Sequence, residues 1–594
     1  MKVLMTGNEA IARGAYEAGV KFASAYPGTP STEILENIAT YKEDIIAQWA
    51  TNEKVALETV IGASIAGARS IASMKHVGVN VAADPLFTYA YTGVNGGLVL
   101  ITADEPGMHS SQNEQDNRNY SKFAKIPMLE PSTSQEAKDM IKLAFEISEE
   151  FDTPVLYRVT TRLCHSKSIV ECYDRCEVGI KDYKKDVKKY VATPGNAKNR
   201  RVVIEERSNK LKQYSNQTNL NYTQINNSEI GIIASSMCYQ YAKEVFSESV
   251  SYMKLGFTYP LPIEKIKEFK SQVKKIYVIE ENDPFIEEQL KSNNIPCYGK
   301  DILPSYGEMT PDVIRKHIQN TPIKTIEYKK DLSIPRPPAL CAGCPHRGFL
   351  YELGKRKNTV ITGDIGCYTL GFDAPYNAMD SAICMGASIS TGHGAQQIFN
   401  LKEKNKTRVV GILGDSTFFH TGVNSLLNVV YNKSNSISVI LDNRITGMTG
   451  HQQNPGTGFT LQGDETHIVN IENLVKACGV KNIKVVDPNN LKQVRDTLDW
   501  AYELDEASVI VTRWPCVLKK FSKADINEFN NPFKTKCYVD ENGCIGCKMC
   551  IKIGCPAISF AKETKLSTID KDQCVGCGVC KQVCPKDIIL EEAN

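Results

Sequence analysis

The chain has 594 residues, 42% of them hydrophobic and 23% charged, with a net charge of +2. That profile excludes a disordered, collagen-like or coiled-coil chain, and the near-neutral charge gives no reason to expect a nucleic-acid or anionic-membrane partner. No apolar run approaches the ~18 residues that span a bilayer, and the apolar stretch within Met1 to Ala10 is too short for a secretory h-region, so a cytoplasmic protein of about four domains is expected.

Residues 1–185 predict an α/β unit. Short apolar runs such as Leu98 to Thr102 alternate with helical patterns such as Ser134 to Glu149, and Gly and Pro mark the joins. The stretch Asp182 to Asn227, rich in Lys, Asn and Gln, predicts a linker with a charged helix. A smaller α/β unit follows over 186–325, with strands at Ile230 to Ala234 and Lys275 to Glu280. The proline-rich Ile334 to Pro338 marks a boundary, and a third α/β unit runs over 326–530, with buried strands at Val409 to Leu413 and Ile437 to Leu441. The alternation favours parallel sheets covered by helices. Residues 531–594 form a cysteine-rich tail.

Of 20 cysteines, nine lie in that tail, and clustering in a cytosolic chain points to metal rather than disulfides. Cys544, Cys547 and Cys550 recur 30 residues on as Cys574, Cys577 and Cys580, and the Cys-Pro pairs Cys555-Pro556 and Cys584-Pro585 close the two repeats. In two-cluster ferredoxins the fourth cysteine of such a run ligates the other cluster. The expected [4Fe–4S] sets are therefore Cys544, Cys547, Cys550 and Cys584, and Cys574, Cys577, Cys580 and Cys555. In the first repeat four residues, Ile551 to Gly554, separate the last two cysteines, where three are usual. A zinc ribbon would need only two C-x2-C pairs. Cys537 lies outside the repeat and reads as a plain thiol. Cys164, His165, Cys172 and Cys176 lack ligand spacing and read as structural; Cys238, Cys297 and Cys478 read as core residues.

Gly414-Asp415-Ser416 ends a buried strand, and Asn443 follows the next one 28 residues after Asp415. That spacing suits a strand–helix–strand crossover, which puts both residues at the carboxyl edge of a parallel sheet, where ligands bind. Asp and Asn oxygens with a diphosphate make a hard-oxygen Mg²⁺ site. The pattern resembles the thiamine diphosphate signature, with Ser416 and Asp442 in place of two of its letters. The run Asp442 to Gln452 is closer to the catalytic subunits of 2-oxoacid:ferredoxin oxidoreductases. That resemblance implies Mg²⁺ binding by Asp415, Asn443 and the carbonyl of Ile445, with Thr446, Gly447, Met448, Thr449 and Gly450 closing over the diphosphate. Cys341-Ala342-Gly343-Cys344 and Gly366-Cys367 match cluster ligands of the same family. They imply a third [4Fe–4S] cluster beside the cofactor, with Cys516 the best candidate for the fourth ligand and Cys384 the weaker one. Buried thiols or zinc are the plainer alternative.

Thiamine enzymes need a carboxylate against the aminopyrimidine, and an apolar cleft suits one because burial raises its pKa. Glu53, followed by Gly62 and Gly67, resembles that glutamate in pyruvate:ferredoxin oxidoreductases; Glu58 reads as a helix-surface charge. Tyr26-Pro27-Gly28-Thr29-Pro30-Ser31 resembles a loop of that family whose threonine contacts the 2-oxoacid carboxylate, which implies that role for Thr29. The polar run His109 to Arg118 reads as a solvated loop or as part of the carboxylate site. Gln112 falls near the arginine that small-substrate relatives use there, so a different substrate geometry is expected.

The order of units in one chain resembles the α subunits of indolepyruvate:ferredoxin oxidoreductases over essentially its whole length. The resemblance is carried further by Met74 to Gly78, His109 to Arg118 and Cys341 to Arg347. The fold it implies has two thiamine-diphosphate-type parallel-sheet domains, a transketolase C-terminal-like α/β domain and a two-cluster ferredoxin domain. The implied reaction converts an aryl 2-oxoacid and coenzyme A to aryl-acetyl-CoA and CO₂ with reduction of ferredoxin. The implied partner is a small β subunit in an α2β2 assembly. A non-oxidative thiamine decarboxylase and an electron-transfer subunit with a degenerate thiamine fold are the alternatives.

Overall fold

The computed structural model describes residues 1–323, 325–334, 336–401, 407–529 and 535–592. The expected boundary at 530–531 and Pro335 of the proline-rich stretch lie outside the described residues. The chain divides into two compact units, Met1–Tyr328 and Lys329–Asn594.

The first unit is built on a seven-stranded sheet. Its order is Phe257–Tyr259, Met128–Leu129, Val155–Thr160, Leu98–Asp104, Ser70–Lys75, Phe22–Ala25 and Ile46–Trp49. All neighbours are parallel except Phe257–Tyr259, which pairs antiparallel with Met128–Leu129. Ser70–Lys75, Leu98–Asp104 and Val155–Thr160 are buried along their whole length, as continuous apolar runs in a helix-covered sheet must be. The chain adds Ile46–Trp49 on one side of Phe22–Ala25 and then crosses to Ser70–Lys75 on the other. That reversal is the switch point at which such sheets bind ligands.

A four-stranded sheet follows, in the order Lys275–Ile279, Ile230–Ser235, Ser251–Leu255 and Asn221–Gln224. Val278, Met253 and Phe269 share one hydrophobic core with Leu98, Leu100 and Met74 of the first sheet. The region expected to be a linker is instead docked: helix Pro194–Gln217 starts on Thr193, whose side chain caps Asn196 N, with Pro194 in the first turn. Arg207 on that helix is buried and donates to the carbonyls of Asp152 and Ala90, while Arg200 and Lys189 pair with the Asp152 carboxylate. Ion pairs and a thin apolar stripe, Ile204 and Leu211, seat this helix; so few apolar positions in 24 residues are why hydrophobic periodicity did not reveal its docking.

The second unit holds a six-stranded, all-parallel sheet. Its order is Ser381–Ala382, Thr359–Gly363, Arg408–Gly414, Ile437–Asp442, Ser508–Arg513 and Asn482–Val486. Its switch point lies between Thr359–Gly363 and Arg408–Gly414. The tail forms two antiparallel strand pairs, the hairpin Ile558–Ala561 with Leu566–Ile569 and the chain-end pair Cys537–Val539 with Ile589–Glu591. Among the described residues no helix is long and apolar enough to cross a membrane.

Candidate thiamine and iron–sulfur sites

Glu53 opens helix Glu53–Ile65, whose start is capped by Asn52 through Val55 N at 2.9 Å. Its side chain is buried, and Gly78 makes the room: a Cβ there would lie 2.7 Å from Glu53 Cγ and 2.8 Å from Oε1. Glu58, by contrast, is exposed and paired with Lys54 at 2.8 Å. Thr29 is half-buried in the loop that leaves Phe22–Ala25 at the switch point. Ser31 donates to Gly28 O and Asn8 to Pro30 O, which pins the loop on both sides of Thr29.

Lys75, part of the Met74 to Gly78 run but given no role from sequence, ends the neighbouring strand. A Cβ on Gly28 would stand 3.1 Å from Lys75 Cβ, so the Thr29 loop rests on this lysine. Its ammonium donates to Glu105 and to Ser110 O, both at 3.1 Å. Burial lowers the Lys75 pKa and Glu105 opposes the shift. The polar run after Glu105 divides in two. His109 and Gln112 are exposed, with His109 Nε2 3.9 Å from Glu308. Asp116, Asn117 and Arg118 are buried: Arg118 pairs with Asp116 at 2.5 Å and with Glu280 at 2.6 Å. Its polarity therefore marks an internal ion network as much as a solvated loop.

In the second unit Asp415 and Asn443 stand at the carboxyl ends of adjacent parallel strands. Both are buried. Burial, with the neighbouring Asp442 charge, pushes the Asp415 carboxyl up to about 7. Its hydrogen-bond partner is Asn454, whose Nδ2 lies 3.2 Å from Asp415 Oδ2 and 3.4 Å from Thr446 Oγ1. Asn454 was not foreseen; its one signal, an Asn-Pro turn, is too common to single it out. A buried carboxylate beside a second one, with an amide and carbonyls around it, is an oxygen donor set that suits a divalent cation. Asp442 itself is spoken for by Arg513 at 2.7 Å. Thr446 and Gln452 exchange backbone hydrogen bonds, closing the loop that carries Gly447, Met448, Thr449 and Gly450. Gly450 has φ +124, and a Cβ there would come 2.7 Å from Gln452 Nε2. Thr446 Oγ1 also reaches Ser416 Oγ at 2.9 Å.

Cys341, Cys344, Cys367 and Cys516 come together at this edge. Burial pushes Cys344 up to about 12 and Cys367 to about 11; Cys367 and Cys516 add to the first shift, Cys516 and Cys341 to the second. Cys516 also feels Asp415, and its N–H donates to Asn443 O at 3.0 Å. A Cβ on Gly447 would lie 4.0 Å from Cys367 Sγ, so the thiols adjoin the Asp415–Asn443 edge. Cys384 is exposed and feels Asp364 rather than these thiols.

The tail cysteines line two small cavities of like size. One is lined by Cys555, Cys574, Cys577 and Cys580, the other by Cys544, Cys547, Cys550 and Cys584. Each thus takes its fourth cysteine from the other repeat. Cys537, read as a plain thiol, lines the first of these cavities, and its N–H donates to Cys574 Sγ at 3.3 Å. Among the described residues no three His, Cys, Asp or Glu side chains converge on a point suited to a single metal ion. Rings of thiols around a cavity instead fit clusters, which take one cysteine per iron. Cys164, Cys172, Cys238 and Cys478 are buried, Cys297 is half-buried and Cys176 is exposed.

Three family models match the chain. Residues 13–229 match the pyruvate flavodoxin/ferredoxin oxidoreductase, thiamine diP-binding family. Residues 364–512 match the thiamine pyrophosphate enzyme, C-terminal TPP binding domain, and residues 567–590 the 4Fe-4S binding domain. The indolepyruvate oxidoreductase subunit IorA of Archaeoglobus fulgidus is 40% identical, covering 98% of this chain and 96% of its own. That of Thermococcus kodakarensis is 41% identical over 99% and 96%, and that of Methanothermobacter thermautotrophicus 38% over 100% and 97%. The chain belongs to the indolepyruvate oxidoreductase subunit IorA family. The family models make it a thiamine diphosphate and iron–sulfur protein, and its IorA relatives are named as subunits of an oxidoreductase. A 2-oxoglutarate synthase subunit KorA of Methanothermobacter thermautotrophicus shares 29% identity over 29% of this chain and 48% of its own. A solved 2-oxoglutarate:ferredoxin oxidoreductase from Magnetococcus marinus aligns at 17% identity and a TM-score of 0.45, over 54% of this chain and 65% of that one.

Proposed function

We propose that this chain is the catalytic subunit of an enzyme that oxidatively decarboxylates aryl 2-oxoacids such as indolepyruvate. With coenzyme A the products are aryl-acetyl-CoA and CO₂, and ferredoxin takes the electrons. The observation that carries the reading is the thiol group of Cys341, Cys344, Cys367 and Cys516 beside Asp415 and Asn443. An electron acceptor held next to the cofactor is what separates an oxidoreductase from a simple decarboxylase. When bound, thiamine diphosphate supplies a sink for the electron pair that CO₂ leaves behind, and iron–sulfur clusters supply one-electron carriage.

The chain's own residues take these roles. Asp415, Asn443 and the carbonyl of Ile445 hold Mg²⁺, and Asn454 fixes the Asp415 carboxylate. Gly414, Ser416 and Thr446 to Gly450 enclose the diphosphate. Glu53 holds a proton at the aminopyrimidine from a cleft that excludes water. The Thr29 hydroxyl, with the His109 and Gln112 loop, orients the substrate carboxylate. Three cysteine sets hold [4Fe–4S] clusters. The domains run over 1–185, 186–325, 326–530 and 531–594. A small β subunit completes an α2β2 assembly in the cytoplasm.

Anaerobic dye reduction by the chain with its partner subunit tests the reading, using indolepyruvate, phenylpyruvate, pyruvate and a branched 2-oxoacid, each with and without coenzyme A. Coenzyme A-dependent reduction that favours the aryl acids is expected. Preference for pyruvate overturns the substrate class, and aldehyde without dye reduction overturns the oxidative reaction. Glu53→Gln is expected to lower the rate by about 10²–10⁴-fold while leaving bound thiamine diphosphate in place.

A further inference from the structure

Arg347 is 1% exposed, and among the described residues no carboxylate pairs with it. Its guanidinium donates to the carbonyls of Leu340 and Cys341, both at 2.7 Å, and to that of Ile553 at 3.1 Å. Gly554 O and the Tyr376 hydroxyl are its other acceptors, and its Nε has no partner among the described residues. Carbonyl dipoles satisfy hydrogen bonds but bring no negative charge. A buried cation without an anion is strongly disfavoured, so something anionic is expected beside it.

Its position says what that anion is. Arg347 lines the cavity ringed by Cys555, Cys574, Cys577 and Cys580, together with Ala342 and Gly343. Those two residues are the turn between Cys341 and Cys344. The guanidinium and this turn therefore form the wall between two rings of thiols. The third ring, at Cys544, Cys547, Cys550 and Cys584, has none of these residues in its lining.

The wall also accounts for the irregular repeat. Gly554, the extra residue of the first repeat, adopts φ +68 and presents its carbonyl, with that of Ile553, to Arg347. A Cβ at Gly554 would lie 2.8 Å from Pro375 Cγ and Tyr376 Oη. The second repeat, one residue shorter, has no counterpart.

We propose that Arg347 is the shared counter-ion of the two iron–sulfur clusters it separates and raises the reduction potential of both. The proposal rests on reading Cys341, Cys344, Cys367 and Cys516 as a cluster site. A four-thiolate cluster is anionic and gains a further negative charge on reduction, so a fixed cation in a low-dielectric wall favours the reduced form.

EPR-monitored potentiometric titration of the anaerobically purified complex tests it, with iron content measured in parallel. Arg347→Gln is expected to shift the reduction equilibrium of two clusters toward the oxidised form by about tenfold or more, about 59 mV for one electron. The Cys544 cluster should not move. Arg347→Lys, which keeps the charge with fewer donors, should stay near wild type. Unchanged potentials in Arg347→Gln, or equal shifts in both variants, overturn the proposal. If Arg347→Gln does not retain iron, Arg347→Lys decides: retention supports a charge role, and equal loss overturns it. Wild-type iron of about eight rather than about twelve atoms per chain removes the underlying third cluster instead. One responding cluster would then remain.

Discussion

The carboxyl edges of the two parallel sheets differ in how much buried charge they leave unpaired. At the first, every charge of a ladder meets its opposite. Arg158 pairs with Asp104 at 2.7 Å and Glu130 at 2.5 Å, and Arg118 with Asp116 and Glu280. At the second, Asp364, Asp415 and Arg347 are each buried with no ion pair among the described residues. Asp364 takes backbone N–H groups of Ile365, Gly386 and Ser388 and is pushed up by burial to about 6. Paired charge serves the fold, because it is satisfied without a ligand. Unpaired buried charge at the second edge is where the proposed cation and clusters would complete the site.

Breaking a ladder pair gives the largest expected effect. Arg158→Met leaves Asp104 and Glu130 buried without a cation and should cost about 3–5 kcal/mol, read as a lower denaturant midpoint of the first unit. Asp415→Asn should do the reverse at the second edge. Removing an unpaired buried charge leaves the melting temperature of the cofactor-free chain unchanged or higher. Mg²⁺ affinity in the presence of thiamine diphosphate should fall about 100-fold or more, read by calorimetry. A stability loss as large as that of Arg158→Met would erase the distinction between the edges.

Glu281 sharpens the comparison from within the first unit. Among the described residues it is buried beside the ladder without an ion pair of its own, and burial pushes it up to about 7. A carboxyl raised in the folded state stabilises below its unfolded pKa, and that stability is lost as pH rises through the folded value. Wild type should therefore lose about 3 kcal/mol between pH 4.5 and above 7 relative to Glu281→Gln, a difference that denaturant titrations across that range would show. The smallest effect is expected at Gly78→Ala. The added methyl meets Glu53 and should cost about 1–3 kcal/mol by overpacking, with a fall in kcat that Glu53→Gln, already lacking the carboxylate, would not share.

Much of this was readable along the chain because the signals are local. The strands at Val409 to Leu413 and Ile437 to Leu441 are continuous apolar runs, and each grew by a residue at both ends or one in the structure. The cysteine spacing is a property of one segment, and so was the departure at Ile551 to Gly554. The docking of Pro194–Gln217 was not readable, because Asp152, which anchors its Arg200 and Arg207, is remote in sequence. The run His109 to Arg118 looked like one polar loop, and only packing separated exposed Gln112 from buried Arg118.

The sequence by itself determined the α/β class, the duplicated cysteine repeat and the pairing of Asp415 with Asn443, since each rests on periodicity or fixed spacing. Tertiary structure alone decided that Cys516 rather than Cys384 joins Cys341, Cys344 and Cys367, that Gly78 makes room for Glu53, that Lys75 lies under the Thr29 loop and that Arg347 walls off two rings of thiols. Those facts depend on which strand ends share a sheet edge and on which charges find partners there. Neither can be read from a residue's neighbours in the chain, because burial and electrostatic pairing are set by distance in space.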